Sequence, residues 1–286
     1  MRTTVLLLSA LSLALARLWT PQAHAEPQPN RIKIEYVAPT KEEQKPLYEY
    51  MKTRQMLEKV QAMFSPFRLP VALLVRTQTC GKPDSSYQHK GEDAVVTLCY
   101  EYIDDIFAKA PPEVTPMGVT ATDAVVGQFF YVVGHEMGRA MFDLLDVPIF
   151  GRESDAADHF ATYMMLQMGP HDARRLIGGA AYSYKKIIDM PEETFRMQEF
   201  SDVHGTPAQR FYNMVCLAYG ANPQLFADVV QNGFLPKERA PNCNWEYRET
   251  RYAFRTLIKP HLDPELRKKV LNTAWLPNVI PFPRRQ

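Results

Sequence analysis

The chain has 286 residues, 33 Lys and Arg against 32 Asp and Glu, a formal charge of +1, and 46% hydrophobic residues. Acids and bases are interspersed, so no basic stripe exists to follow a phosphate backbone, and nucleic acid is excluded as a partner. The length allows one large domain with a real core or two small ones; without internal repeats or low-complexity blocks, the sequence reads as one.

Met1-Arg2 is a short basic start, residues 5–16 are apolar or small, and Ala23-His24-Ala25 has the small-x-small pattern of a signal-peptidase site. Residues 1–25 are therefore expected to be a cleaved signal peptide. An apolar run of about 12 residues falls short of the roughly 20 that span a bilayer. The later apolar stretch at 124–134 is also short and contains Gln128. The expectation is an exported chain, periplasmic or secreted, with no transmembrane anchor after cleavage.

In 31–37, Ile32, Ile34 and Tyr36 alternate with charged residues, which predicts a strand with one wet face. Residues 46–64 open with a proline, place apolar residues near helical spacing and end at Ser65-Pro66, which predicts one helix. The β-branched, apolar runs 70–79 and 94–98 predict two strands that form a hairpin-like pair across a polar loop at 81–93. From residue 99 onward helices dominate. Thr122 and Asp123 start a long helix through 124–145, ended by Val147-Pro148. Further helices are predicted over 153–168, 172–188, and from the capping box Thr206-Pro207-Ala208-Gln209 to Tyr219-Gly220. A short helix begins at Asn222-Pro223, and two more cover 244–258 and 263–271. The class is α+β, a small N-terminal sheet followed by a mainly helical body.

Cys80, Cys99, Cys216 and Cys243 form an even set in an exported chain, where an oxidising compartment favours disulfides. Four cysteines allow three pairings. Cys80–Cys99 and Cys216–Cys243 are preferred, since each pair brackets neighbouring predicted elements. No C-x-x-C spacing supports a cysteine metal site.

The chemistry centres on His135-Glu136-Met137-Gly138-Arg139, in the middle of the long helix. In H-E-x-x-H, two histidines one turn apart bind zinc and the glutamate activates the metal-bound water. Here His135 and Glu136 are present, and Gly138 offers space where a partner helix or substrate would approach. Arg139 stands in place of the second histidine. An arginine stays protonated and presents only donors, so it cannot ligate zinc and repels a cation. Taken alone, H-E-x-x-R reads most simply as a helix interior with incidental polar residues. The context is Gly151-Arg152-Glu153-Ser154-Asp155-Ala156-Ala157-Asp158-His159. Acids at a helix start complement its dipole, which accounts for Glu153 and Asp155 but poorly for Asp158, deeper in a small, apolar stretch.

Together with Cys80-Gly81-x-Pro83, Thr97-Leu98-Cys99-Tyr100-Glu101, Asp202-x-His204, Gln209-Arg210-Phe211-Tyr212-Asn213, Tyr219-Gly220 and Arg239-Ala240, these motifs resemble a bacterial family of metallopeptidase-like proteins of unknown function. They span roughly residues 68 to 260. The resemblance implies a zincin-like fold of the gluzincin type in a single domain over 26–286, with its core at about 31–272. It also implies a zinc cofactor, a peptide or protein substrate, and hydrolysis with His135 as ligand and Glu136 as general base. Asp158 would orient a histidine ligand from behind. The family's pattern G-R-E-E-D-A-A-D has a glutamate where this chain has Ser154, so two expected ligand positions, Arg139 and Ser154, depart from it.

Two arrangements remain open. In one, Glu153, Asp155 or His159 completes a rearranged metal site, with help from His204. In the other, which the paired substitutions favour, the guanidinium of Arg139 takes the place of the zinc and balances Glu136 with Asp158. The chain then descends from peptidases without being one, and serves as a binding or scaffold protein of the envelope. Asp202, His204 and Arg210 form a polar cluster below the site, or His204 simply orders a turn. His89, His171 and His261 are expected to be solvated, and Tyr182, Tyr184, Tyr212 and Tyr219 to pack between helices. The motif Gly-x-Ser-x-Gly does not occur.

Overall fold

A computed structural model describes residues 26–189 and 200–276. The predicted signal peptide at 1–25 and the end of the chain at 277–286 lie outside the described residues. The element order is β1 (Ile32–Tyr36), α1 (Lys45–Thr53), α2 (Met56–Phe64), β2 (Leu73–Gln78), β3 (Ser85–Lys90), β4 (Asp93–Cys99) and α3 (Tyr100–Ala108). There follow α4 (Ala121–Leu144), α5 (Glu153–Leu166), α6 (Pro170–Ile188), α7 (Pro207–Ala221), α8 (Ala227–Gln231), α9 (Ala240–Ala253) and α10 (Pro264–Leu271). This is the expected small sheet followed by a mainly helical body.

The sheet is mixed, in the order β1-β2-β4-β3. Strand β2 runs parallel to both β1 and β4, and β3 is antiparallel to β4 at the edge. The expected hairpin between the runs 70–79 and 94–98 is thus corrected: those strands are parallel. The hairpin partner of β4 is β3, which lies inside the segment read as a polar loop. Its sequence, Ser-Ser-Tyr-Gln-His-Lys, buries only Tyr87, so apolar periodicity could not reveal it. Gly91, at φ 63°, takes the first central position of the two-residue turn, where a positive φ suits the twist of the strands. The buried face carries Leu73, Val75 and Thr77 from β2 and Ala94, Val96 and Leu98 from β4, the period-two pattern of a strand pair packed on one side.

The single helix expected over 46–64 is two, because Gln55 adopts a left-handed φ of 52° between α1 and α2. Helix α4 runs through the centre and is buried along most of its length. Its N-terminus carries a capping box made by Thr120 and Asp123, which satisfies orphan backbone donors. Glycines and alanines let neighbouring helices approach α4 closely. An added Cβ at Gly127 would sit 2.4 Å from the Leu176 carbonyl oxygen, and one at Gly134 3.0 Å from Ala161. The second contact fixes α5 beside the middle of α4, where the motif residues lie. At Gly138 a Cβ would meet the Phe160 ring at 3.0 Å, so this glycine accommodates the partner helix.

Both preferred disulfides are present, Cys80–Cys99 and Cys216–Cys243. The first closes the turn after β2 onto the end of β4. The same turn is held by Glu101, whose carboxylate accepts the backbone N–H groups of Cys80 and Gly81 at 3.0 and 2.9 Å. Burial would raise the Glu101 carboxyl, but these backbone donors hold it below its ordinary value. No helix among the described residues is long and apolar enough to cross a membrane.

Candidate functional site

His135 and Glu136 leave α4 as buried polar side chains, and Asp158 leaves α5 one turn beyond the buried Ser154. The convergence of α4 and α5 brings His135 Nδ1 to 2.7 Å from Asp158 Oδ1. Arg210, from the first turn of α7, then grips the same carboxylate with two donors, Nε to Oδ2 at 2.8 Å and Nη2 to Oδ1 at 2.6 Å. Burial would raise the Asp158 carboxyl, but the Arg210 guanidinium and the hydrogen bonds from His135 and Arg210 outweigh it and hold the group far below the carboxylate range. Around the guanidinium lie the rings of Tyr184 and Tyr131, with centroids 5.2 and 5.4 Å from Cζ. Arg210 is therefore the counter-ion of the buried Asp158, a role the sequence reading did not give it.

Arg139 lies elsewhere. Its Nη1 donates to Glu136 Oε2 at 3.3 Å, and its Nε is 3.5 Å from Glu153 Oε2. The expected balance of Glu136 and Asp158 by one guanidinium is corrected: Arg139 serves Glu136 and Glu153, and Arg210 serves Asp158. The other oxygen of Glu136, Oε1, accepts from Ser85 Oγ at 2.8 Å. Ser85 opens the edge strand β3, so recognising it required knowing that this strand exists and faces α4.

The remaining site residues divide into two groups. Asp155 pairs with Arg152, whose Nε donates to Oδ2 at 2.9 Å. Arg152 also reaches the carbonyls of Asp202 and His204, tying that loop to the start of α5. His204 packs its ring 5.8 Å from that of His135, and its Nδ1 lies 3.0 Å from Asp202 Oδ1. His159 turns away: its Nδ1 lies 2.8 Å from the backbone carbonyl of Asp155, and its ring lines an apolar groove between the α4–α5 loop and α9. His89 is exposed, as expected, and it shares Asp143 Oδ2 on α4 with Tyr87, each at 2.6 Å. His171 is exposed. Tyr184 is buried between helices as expected, whereas Tyr212 is exposed.

Residues 36–258 match the family described as "Putative metallopeptidase". The chain belongs to this metallopeptidase family. No curated protein and no solved structure matches it. A metallopeptidase implies a metal; a catalytic zinc would call for three protein ligands and an open position, and the donors of this family member do not meet that need. His135 supplies one imidazole. Position 139 carries a guanidinium bonded to Glu136, position 154 a hydroxyl, and Glu153 and Asp155 are engaged by Arg139 and Arg152. Among the described residues, no three His, Cys, Asp or Glu side chains are grouped to hold a metal ion. The site does not fit a catalytic zinc.

Proposed function

We propose that this chain is a non-hydrolytic member of its metallopeptidase family, an exported protein that uses the surface around Arg139, between β3, α4 and α5, to bind a peptide or protein ligand. The reading rests above all on Arg139. It stands one helical turn after His135, where the second zinc ligand of H-E-x-x-H would be, and its charge is spent on Glu136 and Glu153. Glu136, the general base in an active relative, accepts hydrogen bonds on both oxygens from Ser85 and Arg139. These bonds engage both oxygens of the carboxylate that a general base would aim at a metal-bound water. The two disulfides suit an oxidising compartment outside the cytoplasm.

A hydrolytic reading with a rearranged metal site has one observation in its favour. His135 and His204 lie side by side, each with Nδ1 against a carboxylate, the arrangement that often orients metal-binding imidazoles. The double variant Arg139→His, Ser154→Glu separates the two readings. If the parent is a disabled relative, the double variant gains stoichiometric zinc and metal-dependent peptide hydrolysis that the parent lacks. Equal zinc and equal activity in the parent would overturn the proposal and favour the rearranged site.

A further inference from the structure

Beyond this site, helix α9 and the α4–α5 loop put large aromatic side chains into water. Phe150 is 102% exposed, Tyr252 65% and Trp245 61%. Trp245, Arg248 and Tyr252 follow at i, i+3 and i+7, so one face of α9 carries an aromatic, a cation and a second aromatic in line. Phe150 and Tyr252 both border the same apolar groove of about 400 Å³, which places the protruding phenylalanine beside that face. Arg251 and Arg255 flank it. Arg248, Arg251, Arg255 and Arg267 make no ion pair among the described residues, in contrast to Arg239, which is bonded to Glu246 on the inner side of the helix. Glu249 is the acid in this stripe.

We infer that this face docks the protein onto an anionic lipid bilayer. Exposed Trp and Tyr side chains have an apolar body and a polar tip suited to the headgroup level, and long arginines extend to anionic headgroups while their stems cover apolar surface. A phenylalanine fully exposed on a loop beside them supplies an apolar wedge. A charge-only partner would need the arginines and leave the three aromatics without a role. The groove supplies apolar surface behind the wedge, and no helix of the described residues spans the bilayer, so attachment would be peripheral and reversible.

The test is co-sedimentation of the purified protein with phosphatidylglycerol-containing vesicles and with pure phosphatidylcholine vesicles. Binding to the anionic vesicles, weakened by salt, is expected, with little binding to the neutral ones. Each basic side chain near such a surface is worth about 1 kcal/mol, roughly fivefold in affinity. Arg248→Gln, Arg251→Gln and Arg255→Gln together should therefore weaken binding about a hundredfold, while the corresponding lysine variants retain it. Phe150→Ser with Trp245→Ser should weaken binding too, at unchanged circular dichroism. Absence of binding to anionic vesicles, or equal binding to both kinds, would overturn the inference. So would aromatic variants that bind like the parent, an outcome that reassigns the arginines to an acidic macromolecule.

Discussion

Replacing Arg210 by Met should be among the most damaging single changes in the protein, although the residue lies outside the H-E-x-x-R motif. Arg210 provides two of the three side-chain donors to Asp158, at 2.6 and 2.8 Å, and only His135 remains when it is gone. Asp158 is buried and Arg210 is only partly exposed, and breaking a buried pair by deleting one side costs about 3–5 kcal/mol, because the other charge stays behind without compensation. For a domain of this size that is a fall of roughly 6–20 °C in Tm. Removing both charges in Asp158→Leu, Arg210→Met should recover much of the loss, since an apolar replacement of a buried pair is often nearly neutral. Urea unfolding of the two single variants and the double variant, with disulfides intact, yields the coupling energy directly. A loss below about 1 kcal/mol for Arg210→Met, or a double variant as unstable as the sum of the singles, would refute the assignment of Arg210 as the counter-ion.

The same pair sets an acid limit. The Asp158 carboxyl is held below its unfolded value of about 3.9, so its contribution is fully present above that pH and declines as pH falls toward the folded value. The stability difference between the parent and Asp158→Asn should therefore be largest above about pH 4 and shrink in more acidic solution; a difference independent of pH would contradict the pairing. Gly179→Ala would put a Cβ 1.7 Å from the Asp123 carbonyl oxygen where α6 crosses α4, and should destabilise by about 3 kcal/mol or more. Its neighbour Gly178→Ala, with Val119 at 3.6 Å, should be tolerated, and thermal unfolding of the two variants measures the contrast. Removing Cys216 and Cys243 together as serines should cost about 3–4 kcal/mol from the lost restraint on the unfolded chain; denaturant titration checks this, and a loss below about 1 kcal/mol would argue against that bridge.

Most of the helical body was legible because its signals are local. The Thr206–Gln209 capping box and the long apolar helix containing His135 rest on spacing that neighbouring residues determine. The pairing of His135 with Asp158 was also anticipated, because the motif letters on two consecutive helices carried it. The sheet was read less well. Strand β3 is polar and edge-placed, so its register depends on β4 and on the bonds that Tyr87 and His89 make to Asp143, not on its own periodicity. With β3 went Ser85, the donor to Glu136. The long-range ion pairs were the other gap: a sequence shows that Arg139 and Arg210 exist, but which carboxylate each meets depends on how α5 and α7 cross α4. The break at Gln55 is a positive-φ residue with no glycine to announce it.

The central claim is that permanent cations and hydrogen bonds have replaced zinc chemistry beside His135. Elemental analysis of the protein, purified without chelators, offered equimolar zinc and then dialysed, tests it most directly. The account predicts substoichiometric zinc that His135→Ala does not change. One tightly held zinc per chain, lost on substitution of His135, would contradict it.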